Sequence, residues 1–134
     1  MTLKELSQVY YLNREIEMDR ERLEELRKKA KSPSGSNLSG TFVGGASESN
    51  VERYTAEITG RENAINEKII QCEQEKSCLE RYIATIPDSL TRQIFTLRFI
   101  YCYSWSRIAL SVGGGNTEGS VKMVCYRYLK KSKD

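Results

Sequence analysis

The sequence predicts an all-α protein: a long N-terminal antiparallel helical hairpin or coiled coil, followed by a small C-terminal three-helix helix-turn-helix domain. Three observations carry this. Apolar residues recur at heptad spacing through both halves of residues 1–87. The 134 residues contain only two prolines, at positions 33 and 87, so long stretches have nothing to interrupt a helix. Near the end, Gly113, Gly114 and Gly115 separate two short segments of helical periodicity.

From Thr2 to about Lys31 there is no Gly or Pro. Val9, Leu12, Ile16, Leu23, Leu26 and Ala30 fall at three- and four-residue steps, with Asp19 interrupting the seam. Residues 32–50, SPSGSNLSGTFVGGASESN, are rich in Ser and Gly and predict a flexible connection, because they bury too little apolar surface to offset the entropy of ordering. Their glycines do not form a phosphate loop, since no Gly-Lys-Ser/Thr follows. A second repeat sets Val51, Ile58, Ile65, Cys72, Leu79 and Ile86 at seven-residue intervals, with Tyr54 and Tyr82 at companion positions. It predicts a helix over roughly 49–85, about 50 Å long at 1.5 Å per residue. Arg61, Lys68 and Glu75 weaken this stripe, which points to self-association as a homo-oligomer through the N-terminal helices.

Pro87 disfavours helical geometry at Ile86 and can open a new helix, with Asp88 and Ser89 near its start. The domain boundary is therefore drawn between 1–87 and 88–134. In DSLTRQIFTLRFIYC, Leu90, Ile94, Leu97 and Ile100 share a face that Phe95 and Phe99 extend, leaving Arg92 and Arg98 to solvent. Ser104 is a candidate N-cap for WSRIALSV, where the small Ala109 permits a close helix crossing before the glycine turn. Asn116 or Thr117 then caps a last helix to about Lys131, whose apolar face is Val121, Cys125, Tyr128 and Leu129. Thr117, Ser120, Lys122, Met123, Tyr126, Arg127 and Lys130 are left facing outward. Small hydroxyls followed by cations suit a helix entering a major groove, and its first amides can meet a phosphate.

Charge supports the division. Residues 1–87 hold 13 basic and 15 acidic side chains, whereas 88–134 hold 8 basic and 3 acidic, so the overall +3 is concentrated at the C-terminal end. The absence of histidine excludes Ser-His-Asp and Cys-His catalysis and His-containing zinc sites. Cys72, Cys78, Cys102 and Cys125 lack CxxC spacing and read as reduced thiols used in packing. No paired carboxylates or nucleophile–base set suggest an enzyme, and no cofactor is expected. No apolar run approaches the roughly 18–20 residues of a membrane span, and no signal peptide is visible.

Several motifs from Ile86 onward resemble region 4 of bacterial sigma-70-type factors, the helix-turn-helix that reads the promoter −35 element. Ile86-Pro87, Arg92, Ile94-Phe95 and Leu97-Arg98-Phe99 resemble the family's Leu-Pro, Arg, Val-Phe and Leu-Arg-Tyr opening. Ser104-Trp105 and Ile108-Ala109 resemble its Ser-Tyr-x-x-Ile-Ala helix. Glu118-Gly119-Ser120-Val121-Lys122 with Arg127 resembles Glu-Gly-Thr-Val-Lys and the Arg that follows. The resemblance implies DNA contacts at Thr117, Glu118, Ser120, Lys122, Met123 and Arg127. The turn is two residues longer than the family's Gly-Ile-Ser form, and nothing upstream resembles the domain that melts the −10 element. A complete sigma factor is therefore not expected.

The layout as a whole is similar to phage and prophage late-gene activators of the RinA and ArpU type. The expectation is a non-enzymatic, sequence-specific regulator that binds double-stranded DNA in the cytoplasm of a bacterial host, with RNA polymerase as a further partner and no membrane association. Two alternatives are a small terminase-like DNA-packaging subunit and a coiled-coil adaptor that binds RNA polymerase. The terminase-like proteins usually carry their DNA-binding part first, the reverse of the order here.

Overall fold

A computed structural model describes residues 1–31 and 44–132, with side chains from residue 51 onward in the second stretch. The described residues are helical and contain no strand. The elements are α1 (Leu3–Leu6), α2 (Gln8–Lys31), α3 (Gly44–Ala84), α4 (Ser89–Phe95), a π-helical segment (Thr96–Ile100), α5 (Trp105–Val112) and α6 (Glu118–Ser132). They group into two compact units, one of Met1–Asn13 with Gln71–Asp134, the other of Arg14–Ile70. Both α2 and α3 contribute to each.

The chain begins on a reciprocal cap. The Thr2 hydroxyl accepts from the Glu5 amide at 3.2 Å, while the Glu5 carboxylate accepts from the Thr2 amide at 2.8 Å. Ser7 closes this first turn, so the helix expected from Thr2 is broken once before α2 begins. The second helix starts at Gly44, earlier than the expected 49. Residues 44–50 are thus helical rather than part of a flexible connection, because a long helix with a packed stripe extends its hydrogen-bond ladder at little cost per added residue. The expectation for 32–43 lies outside the described residues.

In the Arg14–Ile70 unit, Ile16, Leu23 and Ile65 are buried. The heptad stripe fades toward Val51, which is 59% exposed. Asp19 and Lys68, both polar intrusions in their seams, pair with each other, and Glu15 lies 3.5 Å from the same ammonium. The Asp19 hydrogen bond outweighs desolvation and raises the Lys68 pKa. Further along, Arg27 pairs with Glu62 at 3.0 Å.

The other unit holds the larger core. Leu6, Val9, Leu79, Ile86, Ile94, Phe95, Ile108, Val121 and Cys125 are almost wholly buried. Phe95 is its aromatic centre, with ring centroids 5.2 Å from Phe99, 5.5 Å from Tyr128 and 6.4 Å from Tyr82. Asp88 caps α4, accepting from the Thr91 amide at 3.0 Å and its hydroxyl at 2.7 Å. The buried stripe after it runs through Thr91, Ile94, Phe95 and Phe99, while Leu90, Leu97 and Ile100 are only half-buried at its flanks. The face is turned from the one expected because the two phenyl rings, with the most apolar area, take its middle. At Thr96 the ladder widens to a π turn, with the Tyr101 amide donating to the Thr96 carbonyl at 3.1 Å.

Candidate nucleic-acid interface

The C-terminal elements position one cationic helix face. Ser104 caps α5, accepting from the Arg107 amide at 3.3 Å. Trp105, Ile108 and Ala109 form its buried side. Gly113, Gly114 and Gly115 all have positive φ, at 61°, 63° and 79°, which turns the chain sharply into α6. Asn116 braces this turn by donating its side-chain amide to the Gly113 carbonyl at 2.8 Å. Thr117 is the cap: its hydroxyl accepts from the Ser120 amide at 3.1 Å, and the Ser120 hydroxyl accepts from the Thr117 amide at 2.9 Å.

Along α6, Val121, Cys125 and Leu129 face the core, with Val124 and Tyr128 half-buried beside them. Glu118, Lys122, Met123, Tyr126, Arg127 and Lys130 are exposed, together with the preceding Thr117. Met123 and Tyr126 are 49% and 41% exposed, so the face offers apolar as well as charged area. Ser120 departs from the expected outward placement. It is half-buried, and its hydroxyl also lies 3.0 Å from the Thr117 carbonyl. The hydroxyls of Thr117 and Ser120 thus serve the helix start, and Glu118, Lys122, Met123, Tyr126, Arg127 and Lys130 form the accessible set, with the one carboxylate at its N-terminal end.

Arg92 and Arg98 are not the solvent-facing cations expected from the helical face. Arg92 donates to the carbonyls of Ile86 and Pro87 at 2.7 and 3.0 Å, holding the bend before α4. Arg98 donates to the Tyr103 carbonyl at 2.9 Å, and its guanidinium lies 4.3 Å from the centre of the Trp105 ring. Arg107, which sequence reasoning left unassigned, is exposed and stacks 3.6 Å over Tyr103. Its four-residue separation from that ring has no helical register to reveal it, since α5 begins only at Trp105.

The ionic contacts divide unequally. All the ion pairs among the described residues involve Arg14, Arg27, Lys68 or Lys76. Among the described residues, Arg92, Arg98, Arg107, Lys122, Arg127, Lys130 and Lys131 have no carboxylate within 4.0 Å. The field of the exposed ones, Arg107, Lys122, Arg127, Lys130 and Lys131, is directed to solvent and counter-ions, which is the condition a polyanion exploits.

No family model, no curated protein and no solved structure matches the chain. Among the described residues no group of three or more His, Cys, Asp or Glu side chains could hold a metal ion. No described helix is long and apolar enough to cross a membrane.

Proposed function

We propose that the protein is a sequence-specific, double-stranded-DNA-binding regulator of phage or prophage transcription, working without catalysis in the cytoplasm of a bacterial host. On this reading α4 with its π extension, α5 and α6 form a helix-turn-helix resembling sigma-70 region 4, and α6 is its reading helix. The observation that carries the proposal is the exposed, uncompensated set Lys122, Arg127 and Lys130 on one face of a helix that follows a tight glycine turn. Lys and Arg there would meet phosphates and guanine edges, while Met123 and Tyr126 add apolar contact. The ion pairs Asp19–Lys68 and Arg27–Glu62 run in opposite directions along α2 and α3, which supports an antiparallel hairpin. Its task would be self-association or protein contact, and two reading heads on one site gain avidity without new base contacts.

Selection of genomic fragments by the purified full chain should enrich one short motif, and enrichment of none counts against the proposal. Lys122→Ala and Arg127→Ala should each weaken binding to that motif by about tenfold or more with unchanged circular dichroism. Binding should also fall steeply with added salt. A second reading, an adaptor that meets RNA polymerase, draws on Leu110, which is 84% exposed on α5, and Tyr101, 60% exposed before it. Polymerase capture with no retardation of any duplex would favour it.

A further inference from the structure

A groove of about 440 Å³ lies on the larger unit, and no residue of α6 lines it. Ser7, Tyr10 and Tyr11 from the start of the chain line one side, and Arg98, Cys102 and Ser104 another. Arg98 is half-buried, its position fixed by the Tyr103 carbonyl and the Trp105 ring. With no carboxylate within 4.0 Å among the described residues, it is a partly desolvated cation lacking a counter-charge, an arrangement that favours a bound anion. Of the acidic side chains that flank Tyr11 in sequence, Glu5 accepts from the Thr2 amide and Glu15 lies 3.5 Å from the Lys68 ammonium. Cys102 adds no negative charge near neutral pH, because burial raises its thiol pKa.

The groove is also connected to the proposed reading helix. The Trp105 ring that supports Arg98 stacks edge-on against Tyr126 of α6, with centroids 6.0 Å apart. Tyr126 is part of the exposed face that carries Lys122 and Lys130. Hydroxyl donors from Tyr10, Tyr11 and Ser104 beside a fixed guanidinium match the acceptor oxygens of a phosphodiester, while the Ser7 hydroxyl donates to the Leu3 carbonyl at 2.8 Å and only lines the wall.

We infer that this groove receives a backbone phosphate of the bound duplex, so that the N-terminal residues Tyr10 and Tyr11 belong to the DNA interface together with Arg98. The inference rests on the DNA-binding reading proposed above. It assigns positioning to the groove and sequence reading to α6, because a phosphate carries no base identity.

The test uses the full chain with Tyr11→Glu, a rim position 63% exposed, and Asn63→Glu as an equal-charge control on α3. Tyr11→Glu should weaken binding to the selected motif and to an unrelated duplex by the same factor, about fivefold to tenfold, and lower the salt slope by about one. Asn63→Glu should leave both within twofold. In a parallel titration, inorganic phosphate at constant ionic strength should shift the amide resonances of Ser7, Tyr11 and Ser104 saturably in the unaltered protein and not in Tyr11→Glu. Unchanged affinity and slope in Tyr11→Glu, while Lys122→Ala still weakens binding, overturns the groove alone. Absence of any phosphate-dependent shift does the same. Failure of the unaltered protein to bind any duplex overturns both the groove and the regulator.

Discussion

Two side chains tie stability to pH, one at the acid end and one at the alkaline end. The Asp88 carboxyl is held below its ordinary value of 3.8, chiefly by the Thr91 hydroxyl and then by the Thr91 amide. A depressed acid contributes stability above its unfolded value and loses it as pH falls through the folded one. Asp88→Asn should therefore flatten the acid side of a stability profile below about pH 4, measured by urea unfolding. A profile as steep as that of the unaltered protein refutes the assignment. Cys125 acts at the alkaline end. Fully buried, its thiol is pushed up to about 12, so its contribution is complete below 9.0 and is lost as pH rises toward 12. It should resist a thiol reagent at pH 8 under conditions in which the exposed Cys78 reacts at once. Equal labelling of both by peptide mass mapping would show that the core opens readily.

At the scale of the elements, two glycines make opposite demands. Gly113 has φ 61° and ψ −145°, a conformation nearly confined to glycine, so Gly113→Ala should cost about 1–3 kcal/mol although no atom obstructs the new methyl. Gly60 lies within α3 with ordinary φ and open space, and Gly60→Ala should stabilise by roughly 0.5–1 kcal/mol. Denaturant midpoints moving in the same direction for both would contradict this account of the turn.

The glycine turn, the Ser104 cap and the core side of α6 were legible because each depends on neighbours within about four residues. Val121, Cys125 and Leu129 are buried as their spacing predicts. Arg92, Arg98 and the Ser120 hydroxyl were misplaced for the complementary reason: helical phase assigns a face but does not show which carbonyls or rings lie within reach. The π turn was likewise hidden, since Thr96–Ile100 carries no Gly or Pro to announce it. The groove joins positions near 10 and near 100, a separation that no local pattern records.

For the molecule as a whole, internal pairing competes with association. Asp19 and Lys68 satisfy each other, removing one reason for a second copy. Arg61 and Glu75 remain half-buried without an ion pair among the described residues, and Met18, Val51 and Ile70 are each 59% exposed. A self-associating chain should show a sedimentation mass above that of one copy at micromolar concentration, falling on dilution. A mass of one chain throughout would leave protein contact as the task of the long helices.

The single widened turn at Thr96–Ile100 has a consequence for how such a chain can vary. A π turn is an α-helix that has accommodated one additional residue, and each residue advances a helix by about 100°. Deleting any one position there would swing all that follows by more than a quarter rotation. On the proposed reading the outward face of α6 is therefore clocked by chain length at this point, and a lineage could re-aim it with a one-codon change that leaves Lys122, Met123, Tyr126, Arg127 and Lys130 intact.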